Sequence, residues 1–224
     1  MNINLYEDID TYYCHRFRTR EEWLKKRIKG IGGSDVSVLV GKNPYKTQNE
    51  LWKEKKGLSE SKEISNSAID HGNRLEPVLR HWFKASFPEF DVQYQENTIL
   101  QSKEREWMLY SPDGLLFHEE LGKGIFEGKT TLIQNAIMLE NWNNQIPVQY
   151  YCQVLHGLLV TKFDFFIVVA ELRFVWNEDR VEIRKYLIKR EEVLQDLEWL
   201  LSEEERNYQE FYLGDKEPPF IIDL

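Results

Sequence analysis

Asp113, Glu127 and Lys129 carry the chemistry that this 224-residue sequence offers most directly. Two carboxylates supply hard oxygen ligands of the kind that Mg2+ takes. An ammonium beside them can orient or help deprotonate an attacking water. Brought together, the three make a site for metal-assisted hydrolysis of phosphodiesters. Glu127 and Lys129 lie two residues apart, so on a strand both side chains leave the same face. On their own these residues are a weak signal, because a solvated surface hairpin carrying an Asp and a Glu-x-Lys has the same appearance.

The elements that must position them follow from the surrounding pattern. Ser111 to Thr130 is predicted to form two short strands joined by a turn around Glu119 to Gly124. Upstream, Thr19 to Lys29 is predicted helical, with Thr19 as N-cap and Glu22 completing a capping box. The run Gly30-Ile31-Gly32-Gly33-Ser34-Asp35 permits a tight turn, with Ser34 or Asp35 capping a short helix through Val40. Such a turn opening a helix can cradle a phosphate, although it also serves as an ordinary helix–helix connection. Thr47 and Glu50 form a second capping box, opening a helix that Gly57 should end. Leu58 to Ser65 is a polar loop, followed by a long helix from Asn66 to Phe87 that Pro77 should kink or restart. Its inward face is predicted to be Ile69, Leu75, Val78, Leu79, Trp82 and Phe83.

Val92 to Leu100 and Trp107 to Tyr110 have strand character. After the central hairpin come a helix over Pro147–Val160 and a strand over Phe163–Leu172, whose unbroken apolar run suits burial on both faces. An alternating, more exposed edge strand over Arg180–Ile188 and an acidic helix over Arg190–Phe211 close the chain.

Composition sets the outer bounds. A chain with 42% hydrophobic and 13% aromatic residues is expected to be soluble and globular, most simply one domain over 1–224. No apolar run reaches the length of a bilayer span, and the first residues lack the basic and apolar regions of a signal peptide. Cys14 and Cys152 are too few for a disulfide framework or an iron–sulfur cluster, which fits a reducing cytoplasm. The net charge of −9 argues against a nucleic-acid partner until its distribution is read. Met1–Lys84 holds 16 Lys+Arg against 12 Asp+Glu, whereas the remainder holds 13 against 26. A local basic stripe is what DNA contact requires, and the N-terminal third permits one.

Pro112-Asp113, a hairpin and Glu127-Gly128-Lys129 together resemble the PD-(D/E)xK nuclease signature. More narrowly, the chain resembles the lambda-exonuclease-like, YqaJ-type viral recombinase nucleases. The likeness rests on five blocks in order: Trp23 and Arg27 leading into Gly30–Asp35; Gly41, Asn43, Pro44 and Tyr45; His71, Gly72, Asn73, Glu76 and Pro77; Ser111–Gly114 with Glu127–Lys129; and Tyr150 with Gln153 and Val154. One block would say little. Five in order, from about Arg20 to Ala170, are specific.

The resemblance implies an α/β (α+β) restriction-endonuclease-like core, with a central mixed β-sheet flanked by helices. It implies Asp113, Glu127 and the Gly128 carbonyl as ligands of a catalytic Mg2+ or Mn2+, with Glu76 serving a second ion or its water shell. Lys129 would orient the attacking water, and Gln153, supported by Tyr150, would hold Lys129 or that water. Arg27, Ser34 and Ser111 would receive a 5′-phosphate. The expected activity is 5′-to-3′ exonuclease digestion of linear double-stranded DNA, leaving 3′ single strands for recombination. A single-strand annealing partner, a homotrimeric ring and a phage or prophage setting in a bacterial cytoplasm belong to the same expectation. A second glutamine, frequent in the family two residues after the first, is replaced by Leu155, and His156, which follows, is expected to be a buried or half-buried helix residue rather than a ligand. Two other readings stay open: a structure- or site-specific endonuclease, and a non-catalytic DNA-binding protein on the same fold.

Overall fold

Neighbouring residues on a strand face opposite ways, and this rule sorts the protein's core. In the computed structural model, which describes residues 4–7, 10–59 and 67–219, Leu115, Ile125, Phe166 and Val168 fall into one apolar cluster. Their neighbours Leu116, Phe126, Phe165 and Ile167 fall into another. A sheet lined on both sides in this way needs a layer on each face.

In chain order the elements are β1 (Tyr12–Arg16), α1 (Arg20–Arg27), β2 (Ile31–Gly32), α2 (Gly33–Leu39), α3 (Gln48–Lys55), α4 (Ser67–Ser86), β3 (Asp91–Gln93), β4 (Thr98–Ser102), β5 (Met108–Tyr110), β6 (Gly114–His118), β7 (Gly122–Ile133), α5 (Ala136–Glu140), α6 (Val148–Thr161), β8 (Phe165–Phe174), β9 (Asn177–Lys189) and α7 (Leu194–Asn207). Five strands form a mixed sheet in the order β3-β6-β7-β8-β9. All its neighbours run antiparallel except β7 and β8, which are parallel. The expected α/β architecture is therefore present, with an addition: β1, β4, β5 and β2 make a second, four-stranded sheet. Helix α4 covers one face of the five-stranded sheet through Leu79 and Phe83. Helix α6 packs on the other through Leu155 and Leu158, and also contacts β4, β5, α2 and α7. That central position explains why every residue from Cys152 to Thr161 is buried.

Several sequence expectations are corrected. Val92–Leu100 is two strands in different sheets, because Asn97 turns the chain with φ 51°, a left-handed conformation that asparagine tolerates. Helix α4 runs through Pro77 without restarting. Its inward stripe is Leu79 and Phe83, both buried, with Leu75 half-buried four residues before Leu79, whereas Ile69, Val78 and Trp82 are exposed. A helix resting on one sheet face buries a single stripe, and those three residues lie beside it. Residues 60–65 of the expected polar loop lie outside the described residues. The closing helix is a short 3-10 turn, α7 and a π-helical turn over Tyr208–Leu213. No helix among the described residues is long and apolar enough to cross a membrane.

Candidate active site

The pairing of β6 with β7 ends at Gly114 opposite Phe126. One step further along the same register sets Asp113 across from Glu127, so the hairpin itself delivers two carboxylates to one place. Beyond that point β7 continues in register with β8 only, from Glu127↔Val168 to Ile133↔Phe174. Its other edge is open there, and Asp113 Oδ2 occupies it by accepting the Gly128 N–H at 2.9 Å. The Gly128 carbonyl points to that same edge, because a strand residue presents both backbone groups to one side. Gly128 also faces α4: an added Cβ would stand 3.7 Å from the Glu76 Cα.

Glu127 is 3% exposed and surrounded by donors. Lys129 Nζ reaches its Oε1 at 2.8 Å, the Gln153 amide donates to the same oxygen, and the Tyr110 hydroxyl donates to Oε2 at 2.7 Å. Lys129 also donates to Gln153 Oε1 at 2.9 Å and stands 5.0 Å from the centre of the Tyr150 ring. Burial by itself would lower the pKa of Lys129, but the charges of Glu127 and Asp113 outweigh it and the value rises. The group is an ammonium. Burial and the charges of Glu127 and Glu76 push Asp113 well above the usual carboxylate range. Glu76 is raised in the same way, by burial first, with Arg80 opposing and Glu127 adding to it.

Arg27, Ser34 and Ser111 lie in the same cleft, a cavity of about 340 Å3 that Glu76, Asp113, Glu127, Lys129 and Gln153 also line. The side chains expected to serve the ion, the water and the phosphate thus line one cleft, with Tyr150 behind Lys129. Thr19 caps α1 as expected, its hydroxyl accepting the Glu22 N–H at 3.2 Å, but the expected capping box does not close, because the Glu22 carboxylate accepts the Arg18 N–H at 3.0 Å instead; the helix presents Arg27, which donates to Ser34 Oγ. The cap of α2 differs from expectation. Gly32 is the N-cap, and Asp35 reaches back from the first turn to accept the Gly32 N–H at 2.9 Å. Ser34 is consequently free of capping duty and is exposed at the cleft.

Two further residues bear on the carboxylates. Arg80 donates to the Asp113 carbonyl at 2.7 Å, pairs with Glu76 at 3.2 Å and lies over the Tyr94 ring at 3.5 Å. Tyr110 fixes Glu127, as above. The spacing of Arg80 from Glu76, one helical turn, was the available signal for the first. For Tyr110 there was only its place on the strand leading to Ser111. His156 is fully buried between Glu204, at 2.9 Å, and the Leu109 carbonyl, at 3.0 Å.

Among the described residues, no three His, Cys, Asp or Glu side chains gather into a cage for a metal ion. The donor set nevertheless suits Mg2+, which keeps several waters and is held by one or two carboxylates plus substrate oxygens rather than by an all-protein cage. A carboxylate offers about four lone-pair positions. Glu127 has committed two on Oε1 and one on Oε2, so Oε2 retains one. Asp113, Glu127 and the Gly128 carbonyl are the groups that would hold the ion, with Glu76 adjacent.

Structures similar to the fold include the alkaline exonuclease LHK-Exo from Laribacter hongkongensis, with a TM-score of 0.57 and 19% identity, over 87% of this chain and 97% of that one. LHK-Exo in complex with dAMP scores 0.56 at 20% identity, with the same coverage. A phage-related exonuclease from Haemophilus somnus 129PT scores 0.51 at 11% identity, over 84% of this chain and 96% of that one. Among sequences, Bacillus subtilis (strain 168) YqaJ is 34% identical over 171 residues, covering 71% of this chain and 50% of that protein. A protein of Acanthamoeba polyphaga mimivirus is 26% identical over 152 residues, covering 64% of this chain and 27% of its own length. The chain therefore spans half or less of the curated relatives it matches. The model of the YqaJ-like viral recombinase domain matches residues 22–164, a span that contains every candidate residue described above, and the chain belongs to that family.

Proposed function

We propose that this protein is a Mg2+-dependent deoxyribonuclease that digests linear double-stranded DNA from its 5′ ends and leaves 3′ single strands. The observation that carries the reading is the union, in one cleft, of the Asp113–Glu127–Lys129–Gln153 network with Arg27, Ser34 and Ser111. The first group matches the needs of phosphodiester hydrolysis. The second supplies a guanidinium fork and hydroxyls for a phosphate. Family membership supports the reading, as does the likeness of the fold to exonucleases, one of them bound to dAMP.

A divalent cation held there, one or two per site, supplies Lewis-acid polarisation of the phosphodiester. The chain's own residues do the rest. Lys129, kept charged by Glu127 and Asp113, directs a water at the phosphorus and offsets the charge that builds on the phosphate oxygens. Gln153 and Tyr150 restrict the ammonium to that position, and Arg80 keeps Asp113 and Glu76 in register with β7. Helix α1 puts Arg20, Lys25, Lys26 and Arg27 on a short segment beside the cleft, so an acidic protein meets DNA with its basic part. Action with a single-strand annealing protein, assembly as a homotrimer and a phage or prophage role in a bacterial cytoplasm are parts of the same proposal.

The test is digestion of linear duplexes bearing 5′-phosphate or 5′-hydroxyl ends, beside closed circular DNA, with Mg2+ and with Asp113→Ala as control. Selective loss of the 5′-phosphorylated strand is the expected result. Equal cutting of circles would replace the exonuclease with an endonuclease, and activity unaffected by Asp113→Ala would refute the assigned site.

A further inference from the structure

Trp23 is 8% exposed, held on α1 against Ile99 and Leu109, yet it contacts three side chains at the cleft's basic end. Its indole N–H donates to Ser111 Oγ at 3.3 Å. The Arg27 guanidinium lies 5.0 Å from the ring centre and that of Arg20 5.7 Å from it. Arg27 in turn donates to Ser34 Oγ, and Ser111 donates to the Thr98 carbonyl at 2.7 Å. Both arginines line the cavity. One rigid aromatic side chain therefore sets the positions of two cations and one hydroxyl.

We propose that Trp23 is the positioning residue of the terminal-phosphate pocket, and that Arg20, carried on the same indole, reads the second negative charge of a 5′-phosphate monoester. The inference rests on the 5′-phosphate part of the proposed function and deepens it. An internal phosphodiester carries one charge. A terminal monoester has a second ionisation near pH 6 and carries close to two at neutral pH. Arg27 with Ser34 meets the first charge. A second guanidinium has value only where the second charge exists, which makes Arg20 a discriminator between an end and the chain interior. Two guanidiniums brought together repel each other, and the electron-rich indole face lowers that repulsion before any phosphate arrives. The indole N–H has a separate duty. By bonding the Ser111 oxygen it leaves the hydroxyl proton able to turn from the Thr98 carbonyl to a phosphate oxygen without moving the side chain.

The experiment uses the full chain with Arg20→Ala, Arg20→Lys and Trp23→Phe. Rates with Mg2+ and equilibrium binding with Ca2+ are measured on duplexes that differ only in a 5′-phosphate or 5′-hydroxyl. Arg20→Ala is expected to cut the preference for the phosphorylated end by about tenfold, the worth of one charge-assisted hydrogen bond. The loss should appear in KM rather than kcat, and Arg20→Lys should restore most of it. Trp23→Phe keeps a ring face for the arginines but removes the N–H. It is expected to lower the preference by about threefold, as loss of a neutral bond does. An unchanged preference in Arg20→Ala, or a loss confined to kcat, would overturn the role of Arg20; an unchanged preference in Trp23→Phe would overturn that of Trp23. Absence of any preference in the unsubstituted protein would instead refute the terminal-phosphate reading beneath both. If Trp23→Phe fails to fold, the Arg20→Ala and Arg20→Lys pair decides the proposal.

Discussion

Removing the charge of Asp35 tests whether a buried ion pair holds the glycine turn beside Arg27. Asp35 Oδ2 accepts from Lys55 Nζ at 2.7 Å and from the Gly32 N–H at 2.9 Å, while Lys55 also donates to the Arg27 carbonyl at 3.1 Å. The two side chains are 11% and 6% exposed. Burial acts to raise the Asp35 pKa, but the charges of Lys55 and Arg27 and the bonds to Lys55 and Gly32 prevail and bring it from 3.8 to about 2. A carboxyl with a lowered folded-state value contributes stability above its unfolded pKa and loses it as pH falls toward the folded one. The gap from 3.8 to about 2 corresponds to about 2 kcal/mol at pH 7, of which about half should remain at pH 3. Asp35→Asn should cost more than this at neutral pH, about 3–5 kcal/mol, because Lys55 is left buried without its partner. Urea unfolding followed by circular dichroism, at pH 7 and at steps between pH 4 and pH 3, gives the difference between variant and unsubstituted protein. That difference should narrow on acidification, and Asp35→Asn with Lys55→Met should recover part of the loss at pH 7. Equal stability at pH 7, or a difference that stays constant down to pH 3, would refute the reasoning.

Four further outcomes are expected. Lys129→Ala should abolish cleavage yet keep the affinity for linear duplex in Ca2+ within about threefold, since the ammonium faces Glu127 and Gln153 rather than the basic end of the cleft; anisotropy with labelled DNA measures this. Arg80→Ala removes one guanidinium from both the Asp113 carbonyl and Glu76. It should lower stability by about 2–4 kcal/mol and raise the Mn2+ concentration needed for half-saturation, read by electron paramagnetic resonance, with Arg80→Lys recovering part of both. Gly30→Ala would place a Cβ 2.5 Å from the Trp107 carbonyl and 2.8 Å from Leu109, at a cost of about 1–3 kcal/mol in denaturant unfolding. Gly57→Ala has open space around it but a φ of +68°, and should cost about 1 kcal/mol through the backbone alone.

What the amino-acid order by itself determined is local in origin. Glu127 and Lys129 share a face because strands repeat every two residues, Thr19 and Thr47 cap their helices through groups three positions away, and the apolar run after Phe163 marks a strand buried on both sides. The family blocks extended this to a set of candidate residues whose side chains line one cleft. Packing between elements decided the remainder. Gln153 reaches Glu127 across 26 positions because α6 is laid against the sheet, and Asp113 meets Gly128 because β6 stops pairing where β7 continues. Arg80 serves two carboxylate residues only once α4 is set on its single apolar stripe, which also exposes Val78 and Trp82. Trp23 is marked in sequence by its place in a family block, with no role attached, and only the approach of β5 gives its N–H the Ser111 oxygen. Backbone periodicity is a property of a few consecutive residues, so it can be read directly. The convergence of side chains from α1, α4, β6, β7 and α6 depends on how their apolar faces share one core, and no single segment contains that information.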